Sequence, residues 1–188
     1  MDHVSNSVQL RRILKGRNLY LIGMMGSGKT STGPVLAKSL DYAFVDSDKI
    51  IEDLVKMSIS DFFEVEGEES FRILESQVLK SIGERHSLIV ATGGGSILNS
   101  ENWGVLHQGI VIWLDASKEL LLERLKLDNQ RPLLKNDIES NLNKLLKERK
   151  PIYSEADLHI VINKQESLDE IAKKVLNGLL TIISSPEV

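Results

Sequence analysis

The segment Gly23-Met24-Met25-Gly26-Ser27-Gly28-Lys29-Thr30 constrains this chain more tightly than any other. It fits G-x-x-x-x-G-K-[ST], the phosphate-binding P-loop, without a mismatch. Such a loop works only between a strand and a helix, and the flanking residues supply both. Asn18 to Ile22 is a short apolar run that reads as a buried strand. Ser31 to Leu40 carries Val35, Leu36, Ala37 and Leu40 at helical spacing. The glycines let backbone N–H groups curl around phosphate oxygens, and the helix that follows points its positive end at them. In this pattern Lys29 reaches the β- and γ-phosphates, and the Thr30 hydroxyl holds Mg²⁺. The plainer alternative is a glycine-rich turn that happens to precede Lys-Thr, and the flanking elements argue against it.

The rest of the chain repeats the same alternation. Strands are expected at Leu19–Gly23, Ala43–Asp46, Leu88–Ala91, Ile110–Leu114 and Leu158–Ile162, mostly as continuous apolar runs. Such runs suit strands buried on both faces of a parallel sheet. Helical patterns lie between them, at Thr30–Leu40, Asp48–Lys56, Ile59–Arg85 (broken near Gly67), Ser100–His107, Lys118–Lys126, Asp137–Lys150 and Ser167–Ile183. A βα alternation of this kind gives an α/β sandwich around a parallel sheet. Its 188 residues suit a single domain, 1–188, without repeats or linkers. Ligands of such sheets sit beyond the carboxyl ends of the strands, so the informative residues should follow strands. The long stretch Ile59–Arg85 replaces a minimal crossover and is expected to form part of a lobe, about 47–85, over the site. The polar, Pro-interrupted segment at about 127–137 reads as a mobile lid.

Composition removes several classes of function. There is no cysteine, which excludes disulfides, thiolate metal sites and a cysteine nucleophile. The four histidines are scattered without metal-ligand spacing. A net charge of −4 does not suit non-specific nucleic-acid binding. No apolar run approaches the roughly 20 residues that span a bilayer, so no membrane association is expected. The N-terminal stretch has Arg11, Arg12, Lys15 and Arg17 but no apolar core of a secretory signal. Val8, Leu10, Ile13 and Leu14 there could form one face of a short helix. A remnant of an organelle transit segment is the alternative, against which Asp2 and the short length count.

Five further constellations carry chemistry. Asp46-Ser47-Asp48 follows the second strand, where one carboxylate can hold Mg²⁺ through water and the other can accept a hydrogen bond from a substrate hydroxyl. A helix cap by Ser47 or Asp48 is the other reading, and proximity to a P-loop favours the functional one. Glu68, Arg72 and Glu75 share a helical face. Spacing alone favours a solvated ion-pair face there over an arginine aimed at an anion. Gly93-Gly94-Gly95 ends a strand and favours close backbone contact with a ligand over a loose turn. Arg131 sits in the lid, where it could close on a γ-phosphate, although exposed loop arginines are common. Arg149 precedes Pro151 at an expected helix end, where complementing the helix dipole and binding a ligand are equally good readings.

Together these segments resemble the shikimate kinase family, in order, over about 18–163. The marks are GMMGSGKT at Gly23–Thr30, the pair Asp46 and Asp48, G-E-x-x-F-R at Gly67–Arg72, Gly93–Gly95, R-P-L-L at Arg131–Leu134 and R-x-P-x-Y at Arg149–Tyr153. The resemblance implies a three-layer P-loop fold of the NMP-kinase type with a five-stranded parallel sheet. It implies transfer of the ATP γ-phosphoryl group to the 3-hydroxyl of shikimate, on the route to chorismate and the aromatic amino acids. By the same resemblance Lys29, Asp48 and Arg131 are catalytic, with Asp48 also on the ring hydroxyls. Gly26, Ser27, Gly28, Lys29, Thr30, Ser31, Arg124, Arg131 and Gln165 bind ATP, Arg124 and Gln165 through the adenine. Arg72 and Arg149 take the shikimate carboxylate, Gly93, Gly94 and Gly95 contact the ring, and Thr30 and Asp46 serve Mg²⁺. A cytoplasmic monomer acting on small molecules alone is expected. Pro34 departs from the family, which more often has Lys or Arg there, and should cause a local adjustment in the helix. Two rivals remain: a gluconate or nucleotide kinase of the same fold, and a non-catalytic relative. The F-R and R-P-L-L pair opposes the first, and retention of Lys29, Asp48 and Arg131 opposes the second.

Overall fold

Three strands are almost wholly apolar and buried and form the middle of the sheet: β1 (Leu19–Ile22), β3 (Leu88–Ala91) and β4 (Ile110–Ala116, with Asp115 near its end). The less apolar β2 (Ala43–Asp46) and β5 (Leu158–Ile162) are the edges. All five pair in parallel in the order β2-β3-β1-β4-β5. The computed structural model describes residues 3–126 and 137–184.

Eight helices complete the described residues: α1 (His3–Leu14), α2 (Lys29–Leu40), α3 (Ser47–Val55), α4 (Ile59–Gly83), α5 (Ser100–Leu106), α6 (Lys118–Lys126), α7 (Ile138–Tyr153) and α8 (Leu168–Ser184). Alternate strand residues face opposite layers, as the pleat demands. Leu19, Leu21, Ile112, Leu114 and Ile162 pack with residues from α1, α2, α6 and α8. Tyr20, Ile22, Val90, Val111 and Trp113 pack with α4, α5 and Tyr153 at the end of α7. Two cores on the two faces of one parallel sheet make the three-layer α/β architecture expected from the alternation.

Several boundaries differ for identifiable reasons. Gly23 leaves the strand at φ 140° instead of ending it, which begins the phosphate loop. β4 runs to Ala116, two residues beyond the expected end, because β5 pairs with it over that length. The long helix does break at Gly67, where φ is 81° and ψ 169°. α2 passes through Pro34 as one helix. α7 continues through Pro151 to Tyr153, so the expected stop at Lys150 is corrected. Burial of the Tyr153 side chain outweighs the one lost N–H, and Arg149 lies inside the helix instead of at its end. α1 is fixed by Leu10 and Leu14, both fully buried, while Val8 points outward. Among the described residues no helix is long and apolar enough to cross a membrane.

Candidate active site

β1 and β3 are neighbours, so the loops at their carboxyl ends meet. The P-loop follows β1 and the glycine triplet follows β3. A Cβ built on Gly94 would stand 3.4 Å from the Met25 N and 3.6 Å from the Gly23 carbonyl oxygen. Two loops that sequence places about 70 residues apart therefore share one wall.

In the P-loop, Gly28 precedes α2 at φ 98°, a left-handed conformation that few side chains tolerate. Lys29 is nearly buried, and its Nζ donates to the carbonyls of Gly23 (2.8 Å) and Met24 (3.0 Å). Its ammonium is thus held over the loop mouth by the loop itself. Gly26, Ser27, Thr30 and Ser31 complete the turn and the first residues of α2. Arg124, at the end of α6, donates to the Gly26 carbonyl at 2.8 Å and lies against Gly28. Gln165 is exposed in the turn after β5. Arg131 lies outside the described residues.

Asp46 has two jobs at the end of β2. Its Oδ1 accepts from the backbone N–H groups of Asp48 (3.0 Å) and Lys49 (3.4 Å), which caps α3. Its Oδ2 accepts from the Thr30 hydroxyl at 2.7 Å. The helix is capped by Asp46, and not by Ser47 or Asp48 as the alternative reading had it, because Asp46 stands one turn ahead of the free N–H groups. Ser47 instead accepts from the Gly93 N–H at 3.1 Å, tying α3 to the glycine loop. Asp48 is half-buried and turns its side chain to the same loop.

The glycine triplet is the meeting point of the remaining side chains. A Cβ on Gly93 would stand 2.6 Å from Glu75 Oε1 and 2.7 Å from Asp48 Oδ1. One on Gly95 would stand 2.6 Å from both Nη atoms of Arg72. Arg149 Nη1 donates to the Gly94 carbonyl at 3.0 Å. Each glycine thus admits a different functional group, which a loose turn would not require.

Arg72 and Arg149 reach this place in opposite electrostatic states. Arg72 is held by Glu68 (2.9 Å) and Glu75 (2.8 Å). Burial opposes its charge, but the two carboxylates outweigh burial and raise its pKa above the ordinary value. Glu75 is itself buried, and its Oε1 accepts from Ser96 at 2.5 Å. The face expected to be a solvated ion-pair row is therefore largely an interior brace. Sequence spacing showed the Arg72–Glu75 pairing but not its burial, because partners such as Ser96, which donates to Glu75, come from another element. Arg149 is only 5% exposed, and among the described residues no carboxylate pairs with it. Its Nε is buried without a hydrogen-bond partner. A buried cation lacking an anion is costly unless a ligand supplies one.

The model of the family described as "Shikimate kinase" matches residues 25–180. Shikimate kinases from two other organisms are similar to this chain. The protein from Prochlorococcus marinus (strain MIT 9211) is 50% identical over 188 residues, covering 100% of this chain and 95% of its relative. That from Synechococcus sp. (strain CC9902) is 54% identical over 181 residues, covering 95% of this chain and 94% of its relative. Among solved structures, shikimate kinase from Acinetobacter baumannii in complex with shikimate superposes with a TM-score of 0.86 at 39% identity, covering 92% of this chain and 97% of that one.

Proposed function

The chain belongs to the shikimate kinase family, and from that premise we infer that it moves the γ-phosphoryl group of ATP to the 3-hydroxyl of shikimate, giving shikimate 3-phosphate and ADP. Membership makes it an ATP-dependent kinase. The observation that carries the acceptor is Arg149, a buried guanidinium with a free Nε beside three glycines. A small hydroxylated ring with one carboxylate supplies the missing anion. Arg72, braced by Glu75, faces the same carboxylate from the other side of the triplet. A planar guanidinium takes a carboxylate through two parallel hydrogen bonds, and two of them fix its plane.

Asp48 accepts a hydrogen bond from the 3-hydroxyl and takes its proton as the new bond to phosphorus forms. Phosphoryl transfer passes through a loose transition state, so orienting the hydroxyl matters more than removing its proton early. Lys29 exchanges its two carbonyl contacts for phosphate oxygens and neutralises charge there. Arg131 closes on the same phosphates from its own segment, and Arg124 and Gln165 flank the adenine. A divalent cation accompanies ATP in such a kinase. The Thr30–Asp46 pair fits Mg²⁺, since both donors are hard oxygens. Among the described residues no cluster of three acidic or histidine side chains could hold a cation alone. The pair would hold Mg²⁺ together with phosphate oxygens and water, where it screens phosphate charge.

The direct test is ADP release from MgATP with shikimate, gluconate or a nucleoside monophosphate as acceptor. Turnover with shikimate alone is expected. Turnover with another acceptor would keep the P-loop chemistry and void the roles of Arg72, Arg149 and Asp48.

Two substitutions examine the assignment further. Gly95→Ala puts a methyl into the Arg72 guanidinium, at 2.6 Å from both Nη atoms. What must yield is the end of a side chain and not backbone, so the cost falls on binding. KM for shikimate should rise about tenfold, while the unfolding midpoint moves less than about 3 °C. An unchanged KM would remove Arg72 from the acceptor site. Asp46 separates its two jobs by chemistry. Asp46→Asn keeps an acceptor for the α3 cap but weakens the cation site, so half-maximal rate should need about tenfold more Mg²⁺. Asp46→Ala should in addition lose about 1 kcal/mol of stability in thermal unfolding. Equal Mg²⁺ dependence in Asp46→Asn and the parent would leave Asp46 as a cap only.

A further inference from the structure

We infer that Tyr153 is a positioning residue for the acceptor: its hydroxyl and the Arg149 guanidinium share the Gly94 carbonyl, and this sharing aims Arg149 at the substrate. The inference rests on the placement of Arg149 on the shikimate carboxylate proposed above.

The Gly94 carbonyl oxygen has two lone pairs, and both are used. Arg149 Nη1 donates at 3.0 Å, and Tyr153 Oη donates at 2.6 Å. The two donors lie four residues apart on α7, which places them on one face of that helix. Both side chains are buried, at 5% and 1% exposure, so neither bond competes with bulk water.

Tyr153 is anchored by more than its contact with Arg149. Its ring stacks on Trp113 of β4, with centroids 5.8 Å apart and planes 23° apart. Trp113 in turn stacks on His159 of β5 at 4.1 Å and 9°. The hydroxyl is therefore placed by the sheet, through a row of rings, and not by the helix alone. Burial pushes the phenol pKa up to about 12, with the nearby Arg149 opposing that rise. A carbonyl can only accept, so the bond needs the phenolic proton, and the phenol keeps it throughout the neutral range.

The consequence concerns Arg149. One of its amino groups is spent on Gly94, and its Nε is left unpartnered. The direction of that Nε follows from where Gly94 holds Nη1. Without the tyrosine hydroxyl, the Gly94 carbonyl is free to turn toward the guanidinium, and the Nε turns with it.

Tyr153→Phe tests this, because phenylalanine keeps the ring and its stacking on Trp113. KM for shikimate should rise roughly three- to tenfold, with KM for ATP and kcat changed less than about twofold. The unfolding midpoint should fall by no more than about 4 °C, the loss of one ordinary hydrogen bond. A hydroxyl that merely stabilised the fold would lower the midpoint and leave KM for shikimate alone, which overturns the inference. Arg149→Ala and the double variant belong in the same experiment. In the Arg149→Ala background the effect of Tyr153→Phe on KM should shrink to less than about twofold. Full additivity overturns positioning through Arg149. If Arg149→Ala itself leaves KM for shikimate unchanged, the placement of the carboxylate fails. A raised KM in Arg149→Ala with a normal KM in Tyr153→Phe fails the present inference alone.

Discussion

Replacing Lys29 with alanine is expected to lower kcat about a thousandfold or more. The ammonium is held by the Gly23 and Met24 carbonyls at 2.8 and 3.0 Å, within the loop proposed to take the phosphates. No other described side chain offers a cation from within the P-loop, so the loop itself cannot replace that charge as negative charge develops on the transferred group. Because the interaction strengthens in the transition state, kcat should fall much more than ATP affinity. Steady-state rates alongside ATP titration separate the two. The loss of two hydrogen bonds to carbonyls should also lower stability by about 1–3 kcal/mol, so rates need comparison at a temperature where the variant is folded. A near-normal kcat would remove Lys29 from the phosphates.

The second large effect is expected at Arg149. Arg149→Ala should raise KM for shikimate about a hundredfold or more, since truncating one partner of a buried, hydrogen-bonded charge pair costs several kcal/mol. KM for ATP should stay within about threefold of the parent value. The sign of the stability change is the more revealing measurement. In the structure this guanidinium is buried with no carboxylate against it among the described residues. Arg149→Met keeps most of the volume and removes the uncompensated charge. It is expected to unfold at the same temperature as the parent or higher, while losing shikimate affinity. Such opposition is what a residue kept for binding at the expense of the fold should show. A variant that is both less stable and normal in KM would make Arg149 a structural residue.

The parts of this fold that were legible in sequence are those whose cause is local. The apolar runs of β1, β3 and β4 and the Gly23–Thr30 loop carry their own signals, whereas the order of the strands was read only from the structure. Gly67 announced a break because only its own backbone was in question. What sequence missed depends on partners distant along the chain. The pairing of Arg72 with Glu75 was visible as an i,i+3 spacing, yet the hydrogen bond from Ser96 to Glu75 was not. Arg149 was ambiguous because Pro151 suggested a helix end. The helix continues because Tyr153 finds Trp113 and Gly94. The Asp46–Asp48 segment gave a third kind of ambiguity: a cap by Ser47 or Asp48 was set against a functional role, whereas Asp46 makes the cap with one oxygen and holds the Thr30 hydroxyl with the other.

The contact between the P-loop and the Gly94 backbone has a consequence for redesign. Because β1 and β3 are adjacent, the P-loop and the glycine triplet leave the sheet one strand spacing apart, about 4.8 Å. The sheet acts as a ruler. The groups proposed to recognise the acceptor, Arg72 and Arg149, hang from α4 and α7, and α7 bonds the wall shared by the two loops at the Gly94 carbonyl. Reach and selectivity therefore meet at Gly94 and are otherwise separate properties of this scaffold. An engineer who wishes to phosphorylate a different small polyol acid should recut the two helices and leave both glycine-bearing loops alone.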